Sequence, residues 1–202
     1  MLPVDKEGKP LMNAILYGVD TRAHKEIDDL NKKIGEKNII DFCGNALTSQ
    51  AIGPKILWLK NNKPDLFQKT HQFLNSTSYI NFLLSGEYVI DHYTAANFSP
   101  FYDIKNFNWS DTLLKNEIDL NQLPKLVWTN DIIGNVTSKA SKETGLAEGT
   151  IITAGTIDAA AEALSVGVIN PNAKYKVVIE AHADEISWFV HYITKDGFIY
   201  LR

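Results

Sequence analysis

Residues 152–168 constrain the fold more than any other stretch of this sequence. They begin as a short β-branched run, break at Gly155 and continue as small and apolar residues at helical spacing. This pattern predicts a strand, a tight turn and a helix. Asp158 falls near the predicted helix start, where backbone N–H groups lack partners and the helix dipole is positive. Two interpretations of Asp158 follow: a carboxylate at the start of a tightly packed helix, or a catalytic carboxylate.

Composition excludes several classes of protein. The chain has 202 residues, of which 45% are hydrophobic and 22% charged, as in ordinary globular domains. A net charge of −4 provides no basic surface for nucleic acid or for an anionic membrane. No apolar run is long enough to span a bilayer, and no signal-peptide pattern is present. Because Cys43 is the single cysteine, no internal disulfide can form, and the expected location is the cytoplasm.

A second candidate site lies near the start of the chain. Residues 14–19 form a short apolar run that predicts a buried strand, and Asp20 and Arg22 follow it. This pair at the carboxyl end of a strand suits recognition of a polar ligand, because one side chain accepts hydrogen bonds and the other donates them. The same pair also suits a local ion pair that fixes the turn into the next helix. The residues alone leave both interpretations open.

Helical patterns and turn residues organise the rest of the chain. Helices are predicted at residues 24–34, 55–61, 65–70, 79–84, 91–99 and 138–144, with a short helix around Trp109 and Leu113. The first of these ends at Gly35, and the helix at 138–144 is capped by Thr137 and ends at Gly145. Residues 36–53 are predicted to be loop. Neither a Walker-type phosphate loop nor a Gly-x-Gly-x-x-Gly turn occurs.

Six sequence segments, in order along residues 8–171, resemble the FGGY family of carbohydrate kinases. They are GKP with AILYGVDTRA, GPKILWLK, YINFLLSGE, the stretch at 91–103, GNVT with TGLAEGT, and GTID. No single segment is decisive, but their common order makes the resemblance specific. The first and last segments are most similar to the xylulokinase-like and ribulokinase-like branches of that family.

The resemblance implies an α/β fold, with residues 1–172 as a partial actin-like (ribonuclease-H-like) first domain. It also implies ATP and Mg²⁺ as cofactors, held largely by a second domain. At the matching position, Asp158 would be the catalytic base that takes the proton from a sugar hydroxyl. Asp20 and Arg22 would hold sugar hydroxyls, and we expect them to converge with Asp158 at the carboxyl ends of strands. No residue is assigned to ATP, and no metal ligand is predicted.

Residues 173–202 depart from the family and are predicted to form a β-strand tail with a C-terminal hairpin around Asp196 and Gly197. This tail resembles a segment of dinuclear-metal aminopeptidases of the glutamyl-aminopeptidase and endoglucanase-like family. In that family His182 would be a metal ligand, and Asp184 would orient it. Because the other ligands are missing, no metal site is expected here. The alternative is a strand hairpin that completes a sheet.

The resemblance favours an ATP-dependent kinase that phosphorylates a ketose or polyol, with a pentulose favoured. The family's phosphate-binding hairpin and ATP-binding domain are not recognised in the sequence, so the chain alone is expected to be inactive. The competing hypothesis is a non-catalytic remnant or sugar-binding fragment fused to a metallopeptidase fragment. The expected partners are a small sugar and either a second copy or a complementing chain.

Overall fold

A computed structural model describes residues 1–165, 190–193 and 199–201. Met1–Thr156 forms one compact unit and Ile157–Arg202 forms a second. The helices are α1 (His24–Ile34), α2 (Glu36–Cys43), α3 (Ile52–Asn62), α4 (Pro64–Lys69), α5 (Ser76–Ser85), α6 (His92–Ala95), α7 (Ser138–Thr144) and α8 (Asp158–Ser165). Short 3₁₀ helices lie at Ala96–Phe98 and Leu120–Gln122. Within the described ranges, no helix is both long and apolar enough to cross a bilayer.

Short strands are interspersed with the helices and pair in twos. They are β1 (Leu2–Val4), β2 (Gln72–Leu74), β3 (Val89–Asp91), β4 (Tyr102–Asp103), β5 (Asn108–Trp109), β6 (Lys125–Val127), β7 (Ile132–Asn135), β8 (Ile151–Thr153), β9 (Val190–Ile193) and β10 (Ile199–Leu201). β3 and β6 are parallel, with Asp91 opposite Val127. The pairs β1–β2, β4–β5, β7–β8 and β9–β10 are antiparallel. A parallel pair joined through helices, beside antiparallel pairs, makes the first unit a mixed α/β domain.

The main core of the first unit forms around α3, which is buried along most of its length. Ile56 and Leu59 of this helix have no exposed surface. Leu30 of α1 and Ile39 of α2 belong to the same apolar cluster, as does Phe73 of β2. Full burial of one such side chain stabilises a fold by about 1.5–3 kcal/mol. This core therefore fixes α3, which carries side chains of the candidate site described below.

Two predicted helices begin and end where the sequence places their caps. α1 ends at Gly35, which has a φ of 89°, a backbone conformation that glycine adopts readily. Leu30 of α1 is buried in the main core. α7 begins after Thr137, whose side chain accepts a hydrogen bond from the backbone N–H of Ala140, and ends at Gly145 in the left-handed region. The local sequence signals are therefore sufficient to set these boundaries.

The strand predicted for residues 14–19 is wrong. Only Ile15 and Gly18 are shielded to any extent, whereas Leu16, Tyr17 and Val19 are each more than half exposed. The backbone carbonyls of Leu16 and Gly18 accept hydrogen bonds from side chains, namely those of Lys55 and Ser49, and not from a neighbouring strand. Gly18 also has a φ of 70°, which bends the chain away from an extended path. Asp20 and Arg22 therefore follow a side-chain-anchored loop.

Two further predictions are corrected by the structure. Residues 36–53 contain α2, because Ile39 and Cys43 lie one turn apart and are both buried against the core. Trp109 belongs to β5 and not to a helix, and its ring packs at 5.4 Å from Phe98 and 5.6 Å from Tyr102. In both cases tertiary packing decides an element that the local pattern describes poorly.

The predicted strand, turn and helix of residues 152–168 are confirmed where the structure describes them. β8 leads to Gly155, which has a φ of 67°, and α8 begins at Asp158. In the tail, the antiparallel pairing of β9 with β10 confirms the predicted hairpin strands. The turn at Asp196, and the residues His182 and Asp184, lie outside the described residues. The predicted boundary near residue 172 stays a prediction.

Candidate functional site

Asp20 and Arg22 form a close ion pair. The Nε of Arg22 lies 2.9 Å and 3.0 Å from the two carboxylate oxygens of Asp20, and Nη2 lies 2.7 Å from one of them. The Arg22 backbone N–H also donates to Asp20, at 3.1 Å. These hydrogen bonds to Arg22 hold the pKa of the Asp20 carboxyl below its usual value and raise that of the guanidinium. The pair therefore stays ionised over the physiological range.

The ion pair rests on α3. The guanidinium carbon of Arg22 lies 4.8 Å from the centre of the Trp58 ring, a cation–π distance worth about 0.5–1 kcal/mol at a partly exposed site. The bonds to Asp20 use Nε and Nη2, which leaves the two N–H donors of Nη1 for another acceptor. The side chain of Arg22 is 36% exposed and that of Asp20 is 16% exposed. Solvent, and hence a polar ligand, can reach both side chains.

Lys55 lies one turn before Trp58 on α3 and binds the loop that precedes Asp20. Its side chain is 1% exposed, and its Nζ donates to the Leu16 carbonyl at 2.8 Å. Burial lowers the pKa of this ammonium group, while nearby Asp20 acts in the opposite direction. A buried cation is costly unless it is paired, so the loop carbonyl and the Asp20 charge together explain why it is tolerated here.

A small cavity of about 150 Å³ lies beside these side chains. Its lining combines polar and apolar residues: Asp20, Thr21, His24, Thr48, Ser49 and Lys55 with Ala23, Ile27 and Ala51. The surface inside the cavity is mainly apolar, so the donors and acceptors for a hydroxyl group come from the Asp20–Arg22 pair at the loop. The arrangement supports recognition of a small polar molecule at the loop.

Asp158 belongs to the second unit. It is the first residue of α8, it is exposed, and its Oδ1 accepts a hydrogen bond from the backbone N–H of Ala159 at 2.8 Å. A carboxylate in the first turn is favoured by the helix dipole. This placement fits the interpretation of Asp158 as a helix-start carboxylate and keeps the side chain accessible, so a catalytic role stays a prediction.

The structure thus brings together Asp20 and Arg22, and adds Lys55, Trp58 and Ser49, which the sequence reasoning did not assign to a site. Lys55 and Trp58 are three residues apart, a spacing that places two side chains on one face of a helix. That spacing, in a segment already matched to a family motif, was the available signal. The buried environment of Lys55 was not visible in the sequence.

The described residues offer no cluster of metal ligands. No three His, Cys, Asp or Glu side chains in the described ranges come together in a way that could hold a metal ion. The donor groups around Asp20 include two cations, Arg22 and Lys55, which suit hydroxyls or an anion better than Mg²⁺. We therefore assign no residue to ATP or Mg²⁺ and derive no step through either.

Comparison with known proteins identifies the family of this chain. The N-terminal domain of the FGGY family of carbohydrate kinases matches residues 1–165. The xylulose kinase of Bacillus subtilis (strain 168) is 30% identical over 169 residues, which are 83% of this chain and 33% of that protein. The xylulose kinase of Staphylococcus xylosus is 28% identical over 169 residues, 83% of this chain and 35% of that protein. The chain belongs to the FGGY family of carbohydrate kinases.

Solved structures confirm the predicted fold class. The crystal structure of xylulose kinase from Rhodospirillum rubrum matches 84% of this chain and 35% of its own, with a TM-score of 0.78 and 28% identity. The fold is that of the actin-like (ribonuclease-H-like) first domain of a sugar kinase. The chain spans about a third of the length of the curated relatives it matches. These matches give no support to the metallo-aminopeptidase resemblance of the tail, which is not carried further.

Proposed function

We propose that this chain provides the sugar-binding side of a carbohydrate kinase that acts on a ketose or polyol, with a pentulose such as xylulose favoured. The observation that carries the proposal is the accessible Asp20–Arg22 pair beside a small cavity, in a domain of the FGGY family. A sugar hydroxyl can donate to the Asp20 carboxylate and accept from the Nη1 donors of Arg22. The names of the two xylulose kinase relatives support a pentulose.

In the proposed reaction Asp158 is the general base. Asp158 would take the proton from the sugar hydroxyl that becomes phosphorylated and would itself become protonated, and ADP would be the leaving group. A carboxylate suits this role because the reaction needs alignment of the hydroxyl and removal of its proton. The cofactors ATP and Mg²⁺, which the family uses, would supply the phosphoryl group and neutralise its charge. The exposed position of Asp158 at a helix start is consistent with access to a substrate.

Xylulose is expected to bind weakly, with a dissociation constant of about 1 mM, or about −4 kcal/mol of binding free energy. Each exposed polar contact contributes little net free energy because it replaces a contact with water. Asp20→Ala should weaken binding about fivefold, the loss expected for one hydrogen bond of about 1 kcal/mol. Ligand-detected NMR with xylulose, ribulose and glycerol measures these affinities.

Asp29→Ala provides the matched control for this binding experiment. Asp29 lies on the exposed side of α1, so the substitution removes the same charge without touching the Asp20 loop. We expect Asp29→Ala to bind xylulose like the wild type. If the double variant with Asp20→Ala and Asp158→Ala binds as well as Asp29→Ala, the sugar site lies elsewhere on the chain.

The expectation that the 202-residue chain shows no turnover by itself stays a prediction. A coupled assay of ADP release, with ATP, Mg²⁺ and a panel of pentuloses, hexuloses and polyols, measures it. Sugar-dependent ADP release that is lost in Asp158→Asn would contradict the expected inactivity and support the role of Asp158. Sugar binding without ADP release would agree with two hypotheses: a kinase domain that is inactive by itself, and a non-catalytic sugar-binding fragment.

A further inference from the structure

The turn that leads to Asp158 is tied to three separate segments of the first unit. The Ala154 carbonyl accepts a hydrogen bond from the buried side chain of Asn81 on α5, at 2.7 Å. The N–H groups of Ala154 and Gly155 donate to the carbonyls of Asp131 and Thr129, each at 3.1 Å. The Thr156 hydroxyl then donates to Asp91, at the end of β3, at 2.8 Å. Ala154, Gly155 and Thr156 are thus each bound to another segment by a hydrogen bond.

Asp91 is the unusual member of this set, because it is a carboxylate that is only 2% exposed. It also caps α6: one oxygen accepts from the N–H groups of Tyr93 and Thr94, at 3.1 Å and 3.2 Å, and the other from the Thr94 hydroxyl. Burying a charge is expensive, and an exposed aspartate or serine caps a helix as effectively. Capping a helix of one turn therefore does not account for a buried carboxylate at this position.

The hydrogen bond with Thr156 distinguishes Asp91 from other helix-capping side chains of the described residues. Asn75, Asp119 and Thr137 accept hydrogen bonds from N–H groups of the helices that they cap. Asp91 does this as well, but it also reaches Thr156, which lies 65 residues further along the chain. The α6 cap would be complete without that bond. The additional bond acts on the Gly155 turn through Thr156, which is two residues before Asp158 in sequence.

We infer that Asp91 is a positioning residue that acts through the Thr156 hydroxyl to fix the turn from which the chain enters α8 at Asp158. Its importance for catalysis rests on the proposed function, in which Asp158 is the general base. The fixation of the turn does not rest on it. A base must be held within hydrogen-bond reach of the hydroxyl that it deprotonates, so a rigid turn before it serves the reaction.

Three variants of the full chain test the inference. Thr156→Val removes the hydroxyl and keeps the shape of the side chain, whereas Thr156→Ser keeps the hydroxyl. Thr150→Val is the matched control, because the Thr150 hydroxyl donates to the Ala147 carbonyl at 2.7 Å within an exposed loop. Amide hydrogen exchange of Ala154 and Gly155 reports on the turn. The NMR chemical shift of the Asp158 carboxyl carbon reports on the candidate base itself.

In Thr156→Val we expect about tenfold faster exchange at Ala154 and Gly155, together with a changed carboxyl signal of Asp158. Thr156→Ser should restore both, and Thr150→Val should change neither. If the Asp158 signal in Thr156→Val is that of the wild type, Asp91 has only a structural role and the inference is overturned. Unchanged exchange overturns it as well. Failure of the proposed function is seen separately, as a wild-type chain whose Asp20 signals do not respond to xylulose.

Discussion

Replacing Gly53 by alanine is expected to destabilise the first unit by at least about 2 kcal/mol. A Cβ at this position would lie 2.2 Å from the Ser99 carbonyl oxygen and 2.8 Å from Cδ of Pro100. The oxygen belongs to the backbone, so it cannot turn away as a flexible side chain does. Overpacking costs about 1–3 kcal/mol and occasionally more, and a backbone contact of 2.2 Å belongs at the upper end, whereas the better helix propensity of alanine returns at most about 1 kcal/mol. The clash therefore outweighs the gain.

Gly149→Ala is the control, because it makes the same substitution with a different physical cost. Gly149 has a φ of 82°, and no atom lies within 4 Å of the position its Cβ would take. Only the left-handed backbone conformation opposes alanine there, at roughly 1 kcal/mol. Urea denaturation followed by circular dichroism gives both free energies of unfolding. A Gly53→Ala protein as stable as the wild type would show that α3 does not approach Ser99 so closely.

The close approach at Gly53 illustrates what the sequence can and cannot predict in this chain. The glycine, the following Pro54 and the helical spacing of Ile56 and Leu59 correctly predict α3 to within a few residues. These signals are local, because each depends on residues within one or two turns. The contact with Ser99, which lies 46 positions away, depends on how two segments pack. No pattern inside α3 contains that information.

The same division applies to the candidate site. The types and spacing of Asp20 and Arg22 leave ligand recognition and a local ion pair open, and the structure shows the ion pair, while a role in ligand recognition stays a prediction. The strand expected before them is absent: Ile15 pairs with the backbone of Met1, but beyond it the carbonyls of Leu16 and Gly18 accept hydrogen bonds from the Lys55 and Ser49 side chains. An apolar run predicts a strand only if another strand is there to pair with it. Asp158 at a helix start was predicted because the signal for a turn followed by a helix is local.

Asp91 was placed by the sequence in a segment of family resemblance, but its burial and its bond to Thr156 were not predicted. Both depend on β3 lying beside β6, with Asp91 opposite Val127. That register brings the loop after β6, which binds the Gly155 turn, next to the end of β3. A parallel pairing between residues 36 positions apart has no local signature. The sequence alone therefore could not predict that Asp91 is buried or that it binds Thr156.

Removing the Asp91 carboxylate is expected to lower the free energy of unfolding by about 3 kcal/mol or more. Asp91→Ala leaves four donors without their acceptor: the N–H groups of Tyr93 and Thr94, and the hydroxyls of Thr94 and Thr156. Loss of a cap costs about 1 kcal/mol, and each buried donor left unsatisfied adds about 1–3 kcal/mol unless water enters. Thermal and urea unfolding of the purified variant measure the loss.

Asp103→Ala provides the matched control, because Asp103 makes the same local pattern of bonds at a less buried position. It accepts from the N–H groups of Lys105 and Asn106, two and three residues ahead, and from the side chain of Asn106. Lys105 and Asn106 are exposed, so water replaces the lost acceptor and the expected cost is about 1 kcal/mol or less. Equal losses in the two variants would mean that water satisfies the donors around Asp91, and that its carboxylate does not hold β3, α6 and the Gly155 turn together.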